Sequence, residues 1–349
     1  MASAAAKGIE LPRKVILRPG ALGDIAPLCR ELGLTGPAAV LTGPRTGEAA
    51  GRRVADSLRE GRFETALFEA PVGKGADELQ ADARKARFLV GVGGGRVIDL
   101  AKVLSTRLGV PFLSVPTAAS HDGVASNRAT VNHGARSLSV EARAPLAILA
   151  DTAVIARAPP KLLRAGCGDI VSNLAAVLDY RLAHKVRGEP YSGYAAALSE
   201  MTARILLERA GEIKPGDERS AHIVMEALIS SGVAMAIAGS SRPASGAEHM
   251  FSHALDRVAR KPALHGLQTG AGTLPVVHLH GGDWRAVREG LKKLGVPTNA
   301  EELGIADAEA IEALVMAPKM RPDRWTILGE GLTKEQAAQT LVETEFIAA

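Results

Sequence analysis

Six short apolar runs alternate with helical stretches through the first 155 or so residues, and this alternation restricts the fold more than any other feature of the chain. KVIL (14–17) precedes ALGDIAPLCREL, AAVLTG (38–43) precedes TGEAAGRRVADSLRE, and ETALFEA (64–70) precedes GADELQADARKA. RFLVGVGGG (87–95) runs into RVIDLAKVLSTRL, and VPFLSVPT (110–117) and PLAILAD (145–151) complete the series. Apolar runs of about four to eight residues, separated by helical patterns of about 10–15, predict a parallel sheet wrapped by helices. After Pro159 and Pro160 the character changes. From Leu162 onward nearly every segment has helical periodicity, punctuated by KPGD (214–217), RPASG (242–246) and GVPTN (295–299). The expected architecture is an α/β N-terminal nucleotide-binding domain with a parallel sheet over residues 1–157 and an all-α C-terminal domain over 158–349.

The length of 349 residues suits two domains, and 46% hydrophobic with 23% charged residues is the composition of a soluble globular protein. A net charge of +4, with no block of like charges and only 3% aromatics, argues against nucleic acid as a partner. Cys29 and Cys167 are too few for a disulfide framework or a CxxC metal site, which fits a reducing cytoplasm. The opening MASAAAKGIELPRK lacks the apolar core of a signal peptide. The longest uncharged stretch, Ala227 to Ser241, is too short and too rich in Ser and Gly for a membrane span. The expectation is a cytoplasmic protein without membrane insertion.

Three segments carry chemistry. GVGGGRVIDLAK (91–102) lies at a strand-to-helix junction, where unsatisfied N–H groups and the helix dipole favour an anion. Gly93, Gly94 and Gly95 would let a pyrophosphate approach the main chain, or they serve a turn that needs positive φ. The segment is not the GxGxxG fingerprint and follows the fourth strand, which disfavours an ordinary Rossmann dehydrogenase. Next, VPTAASHDGVASNRATV (115–131) follows an apolar strand and carries Thr117, Ser120, His121, Asp122, Ser126 and Asn127. Ligands bind beyond the carboxyl ends of such strands, so this turn and the glycine loop belong to one crevice. Finally, SGAEHMFSHALDRV (245–258) places His249 and His253 four apart on one helical face, a spacing that suits two ligands of a metal, or a ligand and a substrate-binding group, or neither.

GVGGGRVID, PTAASHDGVAS, AGCGDIVSN (165–173), RPASGAEHMFSH (242–253) and KPALHGLQTG (261–270) occur in this order. Together they closely resemble the sn-glycerol-1-phosphate dehydrogenase family, within the superfamily of glycerol dehydrogenase, iron-dependent alcohol dehydrogenases and dehydroquinate synthase, over roughly residues 14–290. The resemblance implies the dehydroquinate synthase-like fold, with the site between an α/β domain and a helical domain that binds metal and substrate. It implies reduction of dihydroxyacetone phosphate by NADH or NADPH to sn-glycerol 1-phosphate, the glycerol backbone of archaeal ether phospholipids. One Zn2+ per subunit would be held by Asp169, His249 and His265. Asp122, Asp169 and His253 would contact substrate and take part in catalysis. Gly95, Arg96, Val97, Ile98, Asp99, Thr117, Ala118, Ala119 and Ser120 would face the dinucleotide, with Ser126 nearby. A homo-oligomer is also expected.

The chemistry agrees with that assignment. Hydride transfer to a ketone builds negative charge on the carbonyl oxygen, and a Lewis acid on that oxygen stabilises it by several kcal/mol. One carboxylate and two imidazoles with open positions make a catalytic zinc site, although the same set accepts Fe(II). His253 would relay a proton because an imidazole titrates near neutral pH. Each assignment has a structural alternative: Asp169 as the N-cap of the helix after it, His265 as a helix-start residue, Cys167 as a packing group. His278 and His280 form a rival pair, but i and i+2 diverge on a helix. Arg45, in LTGPRTGEAAG, occupies the place of an acid that would exclude NADP, so NADPH is expected to be accepted at least as readily as NADH. Arg242 is the nearest basic residue before the histidines in sequence. Rival functions are a polyol dehydrogenase without phosphate selectivity, a dehydroquinate synthase-like lyase, and a nucleotide-binding protein that has lost its activity.

Overall fold

The computed structural model describes residues 8–70, 75–133 and 136–348. All six expected strands form: Lys14–Arg18 (β1), Ala38–Thr42 (β2), Thr65–Glu69 (β3), Phe88–Gly93 (β4), Phe112–Pro116 (β5) and, beyond a hairpin of Arg128–His133 (β6) and Arg136–Glu141 (β7), Ala147–Asp151 (β8). They make one parallel sheet of order β1-β8-β5-β4-β2-β3. The antiparallel hairpin stands apart and was not expected from the sequence.

The inner strands β2, β4, β5 and β8 are buried at every position, as continuous apolar runs require when both faces are covered. On one face, α1 (Ile25–Glu31) and, after the short α2 (Pro44–Thr46), α3 (Arg52–Glu60) set Ile25, Leu28, Val54 and Leu58 against Val40 and Val90. On the other, α4 (Ala76–Ala83) and α5 (Gly95–Leu108) set Leu79, Ile98 and Leu104 against Leu41, Leu89 and Phe112. Each such side chain contributes roughly 1.5–3 kcal/mol. The chain steps outward from β2 to β3 and then back to β4 on the other side of β2, so the connections diverge and leave a crevice at the carboxyl end of β4. Asp151, at the end of β8, accepts from Gly20 N at 3.0 Å and from Ala153 N at 3.1 Å, tying the β1 edge to the start of α6 (Thr152–Ala156).

Beyond Asp151 the described regular elements are helices: α7 (Pro160–Arg187), α8 (Gly193–Glu208), α9 (Glu218–Ala238), α10 (Ala247–Val258), α11 (His265–Leu279), α12 (Trp284–Lys293), α13 (Ala300–Leu303), α14 (Asp307–Met316) and α15 (Lys334–Glu343). The turn signals work as the sequence suggests. Gly216 has φ 84° and the next residue, Asp217, caps α9 by accepting from Ser220 N at 2.8 Å. Ile148 and Ala150 of β8 share a core with Cys167, Ile170 and Val171 of α7 and Val224 and Leu228 of α9. Met250, Phe251, Leu255, Val276, Leu341 and Phe346 build a second core among the later helices. By length and composition α9 is the one helix among the described residues that could cross a membrane, but 67% of its apolar window is buried inside the protein, as in a core helix. Burial pushes the free thiols of Cys29 and Cys167 up to about 12, which keeps both unreactive.

Helix α7 starts at Pro160, well before the AGCGD stretch, so Asp169 lies in the helix interior and its alternative as an N-cap is excluded. The glycines in that stretch have a packing cause. A Cβ on Gly166 would overlap Ala119 O, and one on Gly168 would overlap Gly266 O. A Cβ on Gly266 would in turn strike Ala165 O. Without side chains, the turn after β5 and the first turn of α11 both come into backbone contact with α7. That close approach is what brings Asp169, Asp122 and His265 together.

Candidate active site

The crevice opens where β4 and β5 end, and Thr117 N donates to Gly93 O at 3.0 Å, joining the glycine loop to the following polar turn. A cleft of about 400 Å³ lies there, lined by Gly94, Gly95, Arg96, Asp99, Ser120, His121, His253, Asp256 and His265 among others. The three glycines do different work. None of them has positive φ, so the turn alternative fails. A Cβ on Gly93 would overlap Val97 and one on Gly95 would overlap the His121 ring, whereas Gly94 faces open space. Only Gly94 clears a path for a ligand; its neighbours are small so that α5 and His121 can pack. The N-terminus of α5 points its dipole into this cleft.

Of the residues expected to face a dinucleotide, Gly95, Arg96, Asp99 and Ser120 line the cleft. Thr117, Ala118 and Ala119 form the buried turn beneath it. Val97 and Ile98 pack their side chains into the core between α5 and the sheet, which leaves only their backbone for a ligand. Ser126 lines the adjoining smaller cavity instead, where it exchanges hydrogen bonds with the backbone of Arg128.

That cavity, of about 90 Å³, contains Asp122, Asp169, His249, His253 and His265. One oxygen each from Asp169 and one nitrogen each from His249 and His265 lie within 4.8 Å of one another. Asp169 Oδ2 accepts from Asp122 N at 2.9 Å, while its Oδ1 is buried with no hydrogen-bond partner. Oδ1 stands 3.8 Å from Nε2 of both His249 and His265, too long for hydrogen bonds and close to the spacing of donors around a shared cation. An orphaned buried oxygen facing two imidazole nitrogens is a group lacking its partner, and the donor set fits a divalent metal.

Glu248 completes the arrangement and was overlooked in the sequence, where a Glu beside a His reads as surface. It is fully buried, and its Oε1 sits 2.8 Å from His249 Nδ1 and accepts from Gly246 N at 2.8 Å. A carboxylate only accepts, so Nδ1 carries the proton and Nε2 turns its lone pair toward Asp169. Asp122 Oδ2 accepts from Ser231 Oγ at 2.9 Å, and Asn173 Nδ2 donates to that hydroxyl at 3.1 Å.

The electrostatics are those of a crowded pocket. Burial foremost, then Asp122, raises Asp169 to about 7, against the pull of His249. Burial also raises Asp122, opposed mainly by His249. For His249 burial pulls downward, but Glu248, Asp169 and Asp122 together leave it raised. His265 is lowered well below its ordinary value by burial and by its neighbouring imidazoles. His253 is lowered to about 4 by burial, His249, Arg321, Arg324 and Arg257. The expectation that His253 titrates near neutral pH is therefore corrected: it stands as a neutral imidazole, with a buried, unpartnered Nδ1, stacked on His265 at 5.6 Å. His249 and His253 share a face of α10 as their spacing required, and His265 is both the first residue of α11 and a member of the cluster.

The remaining alternatives fall elsewhere. His278 bonds Glu343 at 2.8 Å and His280 bonds Asp179 at 2.9 Å, so the rival pair is divided between separate carboxylates. Arg242 is buried, pairs with Glu189, donates to Trp325 O at 2.7 Å and is not among the residues lining the cavity of the cluster.

Comparison with known proteins gives a consistent picture. The family profile for iron-containing alcohol dehydrogenase matches residues 16–159. A protein of Methanosarcina mazei named glycerol-1-phosphate dehydrogenase [NAD(P)+] is 54% identical over 346 residues, covering 98% of this chain and 97% of the relative. Another so named, from Methanothrix thermoacetophila, is 53% identical over 348 residues, covering 99% and 98%. Among solved structures, glycerol dehydrogenase from Schizosaccharomyces pombe superposes with a TM-score of 0.78 at 22% identity, over 97% of this chain and 90% of that one, a likeness of fold.

Proposed function

The chain belongs to the glycerol-1-phosphate dehydrogenase [NAD(P)+] family, and from that premise we propose that it reduces dihydroxyacetone phosphate to sn-glycerol 1-phosphate with NADH or NADPH, using one Zn2+ held by Asp169, His249 and His265. The observation that carries this reading is the buried, unpartnered Asp169 Oδ1 facing the two Nε2 atoms. The metal, when bound, supplies a Lewis acid for the ketone oxygen.

The chain's own residues do the rest. The glycine loop and the N-terminus of α5 bind the dinucleotide phosphates, with Gly95 to Asp99 and Thr117 to Ser120 along the cleft and Ser126 in the adjoining cavity. His121 and His253 line both the cleft and the small cavity, so the nicotinamide and the ketone meet at those rings. The dinucleotide, when bound, would supply hydride to the carbonyl carbon, and the oxygen must then gain a proton. His253, kept neutral, relays that proton by taking one from solvent water in the cleft it lines as it gives one to the oxygen. Asp122, held by Ser231 and by its own backbone bond to Asp169, orients the substrate hydroxyl. Enclosure between sheet and helices limits water at the reacting carbon.

We place the division between the α/β part and the helical part at 157/158, and the protein in the cytoplasm, in keeping with its two free, buried thiols. A homo-oligomer is supported by the exposed Tyr194, Met201 and Ile205 along α8. No nucleic acid or membrane partner enters this scheme. The test is an assay of dihydroxyacetone phosphate with NADH and with NADPH, before and after chelation. Turnover that chelation abolishes and Zn2+ restores is expected; preference for glycerol or dihydroxyacetone over the phosphates would favour the polyol dehydrogenase.

A further inference from the structure

A triose phosphate differs from a triose by a dianionic group, and the cavity lined by Asp169, His249 and His265 is also lined by two arginines. Arg128, the first residue of β6, and Arg321, just beyond the 3-10 turn Ala317–Met320, line the same cavity as Asp169, His249, His253 and His265. They reach it from opposite halves of the chain.

Three observations single out this pair. First, the two cations are held near each other. Burial foremost, then the charge of Arg321, pulls Arg128 below its ordinary value, against the opposing pull of Glu141 and Asp323. Second, Arg321 has a weak local partner. Its Nε and Nη2 donate to Asp323, both at 3.3 Å, and that carboxylate is 68% exposed. An exposed pair of this kind contributes about 0–1 kcal/mol and yields easily to a phosphate. Third, neither Arg324 nor Arg242 is among the residues lining that cavity: Arg324 donates to Ser245 O at 2.6 Å and Ser241 Oγ at 2.9 Å, and Arg242 pairs with Glu189. The main chain at Arg128 is fixed as well, since buried Lys102 donates to its carbonyl at 2.6 Å.

We propose that Arg128 and Arg321 bind the phosphate of the substrate, which spans from the metal cluster to these two guanidinium groups and is thereby distinguished from an unphosphorylated polyol. This assignment rests on the triose-phosphate reading of the same cavity.

The experiment compares zinc-loaded wild type with Arg128→Gln, Arg321→Gln and Arg321→Lys. Steady-state kinetics on dihydroxyacetone phosphate and on dihydroxyacetone are measured, together with calorimetric binding of inorganic phosphate to the protein loaded with NAD+. The glutamine variants are expected to lower the ratio of kcat/KM for the phosphorylated over the plain substrate roughly 10- to 100-fold, mainly through KM. Phosphate binding should weaken in parallel, with Arg321→Lys intermediate. An unchanged ratio, or unweakened phosphate binding, overturns the assignment while leaving the parent reading intact. A wild type inert toward dihydroxyacetone phosphate overturns both.

Discussion

Glu248 Oε1 lies 2.8 Å from Nδ1 of His249, and this one bond sets the tautomer and direction of a metal-ligating imidazole. Partners of this kind typically tune metal affinity by 10- to 100-fold. Glu248→Gln, which keeps an acceptor but removes the charge, should weaken Zn2+ binding by about that factor, read by competition with a chromophoric chelator. Unchanged affinity would mean that His249 is oriented by its packing alone.

Asp169 carries a stability signature of the opposite kind. Its folded pKa of about 7 lies above the ordinary 3.8 of an aspartate, so the fold favours the protonated acid. That contribution is complete below 3.8 and disappears as pH rises through about 7. In metal-free protein, Asp169→Asn should therefore be more stable than wild type at pH 8, by about 2–4 kcal/mol, with the gap closing toward pH 4. Thermal melts of both chelated proteins across that range decide it. A variant that is no more stable at pH 8 would show that the carboxylate is not strained by burial.

The glycine loop separates packing from binding. Gly94→Ala meets open space and should melt like wild type while raising the KM for cofactor roughly tenfold or more, because a methyl group then stands in the path of the pyrophosphate. Gly93→Ala overlaps Val97 and should destabilise by about 1–3 kcal/mol. The reverse pattern would contradict the division of roles.

Arg45 is exposed in α2, directly beyond the carboxyl end of β2 and beside the strand that leads into the glycine loop. Arg45→Asp should reduce the ratio of kcat/KM for NADPH over NADH roughly 10- to 100-fold, since a carboxylate repels the 2′-phosphate and accepts from the ribose hydroxyl. An unaltered ratio would move the adenosine end elsewhere.

The sheet was legible because its inner strands are buried on both faces and read as unbroken apolar runs. The β6–β7 hairpin was not, since a two-stranded ribbon outside the main sheet offers only a weak alternation within a polar stretch. At the site, His249 and His253 announced themselves by helical spacing, but nothing local tied them to Asp169 or His265. That link came from a family resemblance, and its physical cause is the run of glycines that brings α7, α11 and the turn after β5 into backbone contact. Glu248 and Arg321 left no signal, because their value depends on what they face across the cavity. The titration of His253 was misjudged because its depression comes first from burial and then from His249 on the same helix, with Arg321 and Arg324 adding to it from far away in sequence.

The account's central claim is that Asp169, His249 and His265 close around one catalytic ion. Its most direct test is a Zn2+ titration of chelator-stripped protein, following bound metal and dihydroxyacetone phosphate reduction together. Activity should rise from background in proportion to bound metal and level off at about one ion per chain, with neither signal recovered at comparable concentrations in His265→Ala. Full turnover by the stripped enzyme, or undiminished binding and activity in His265→Ala, would contradict it.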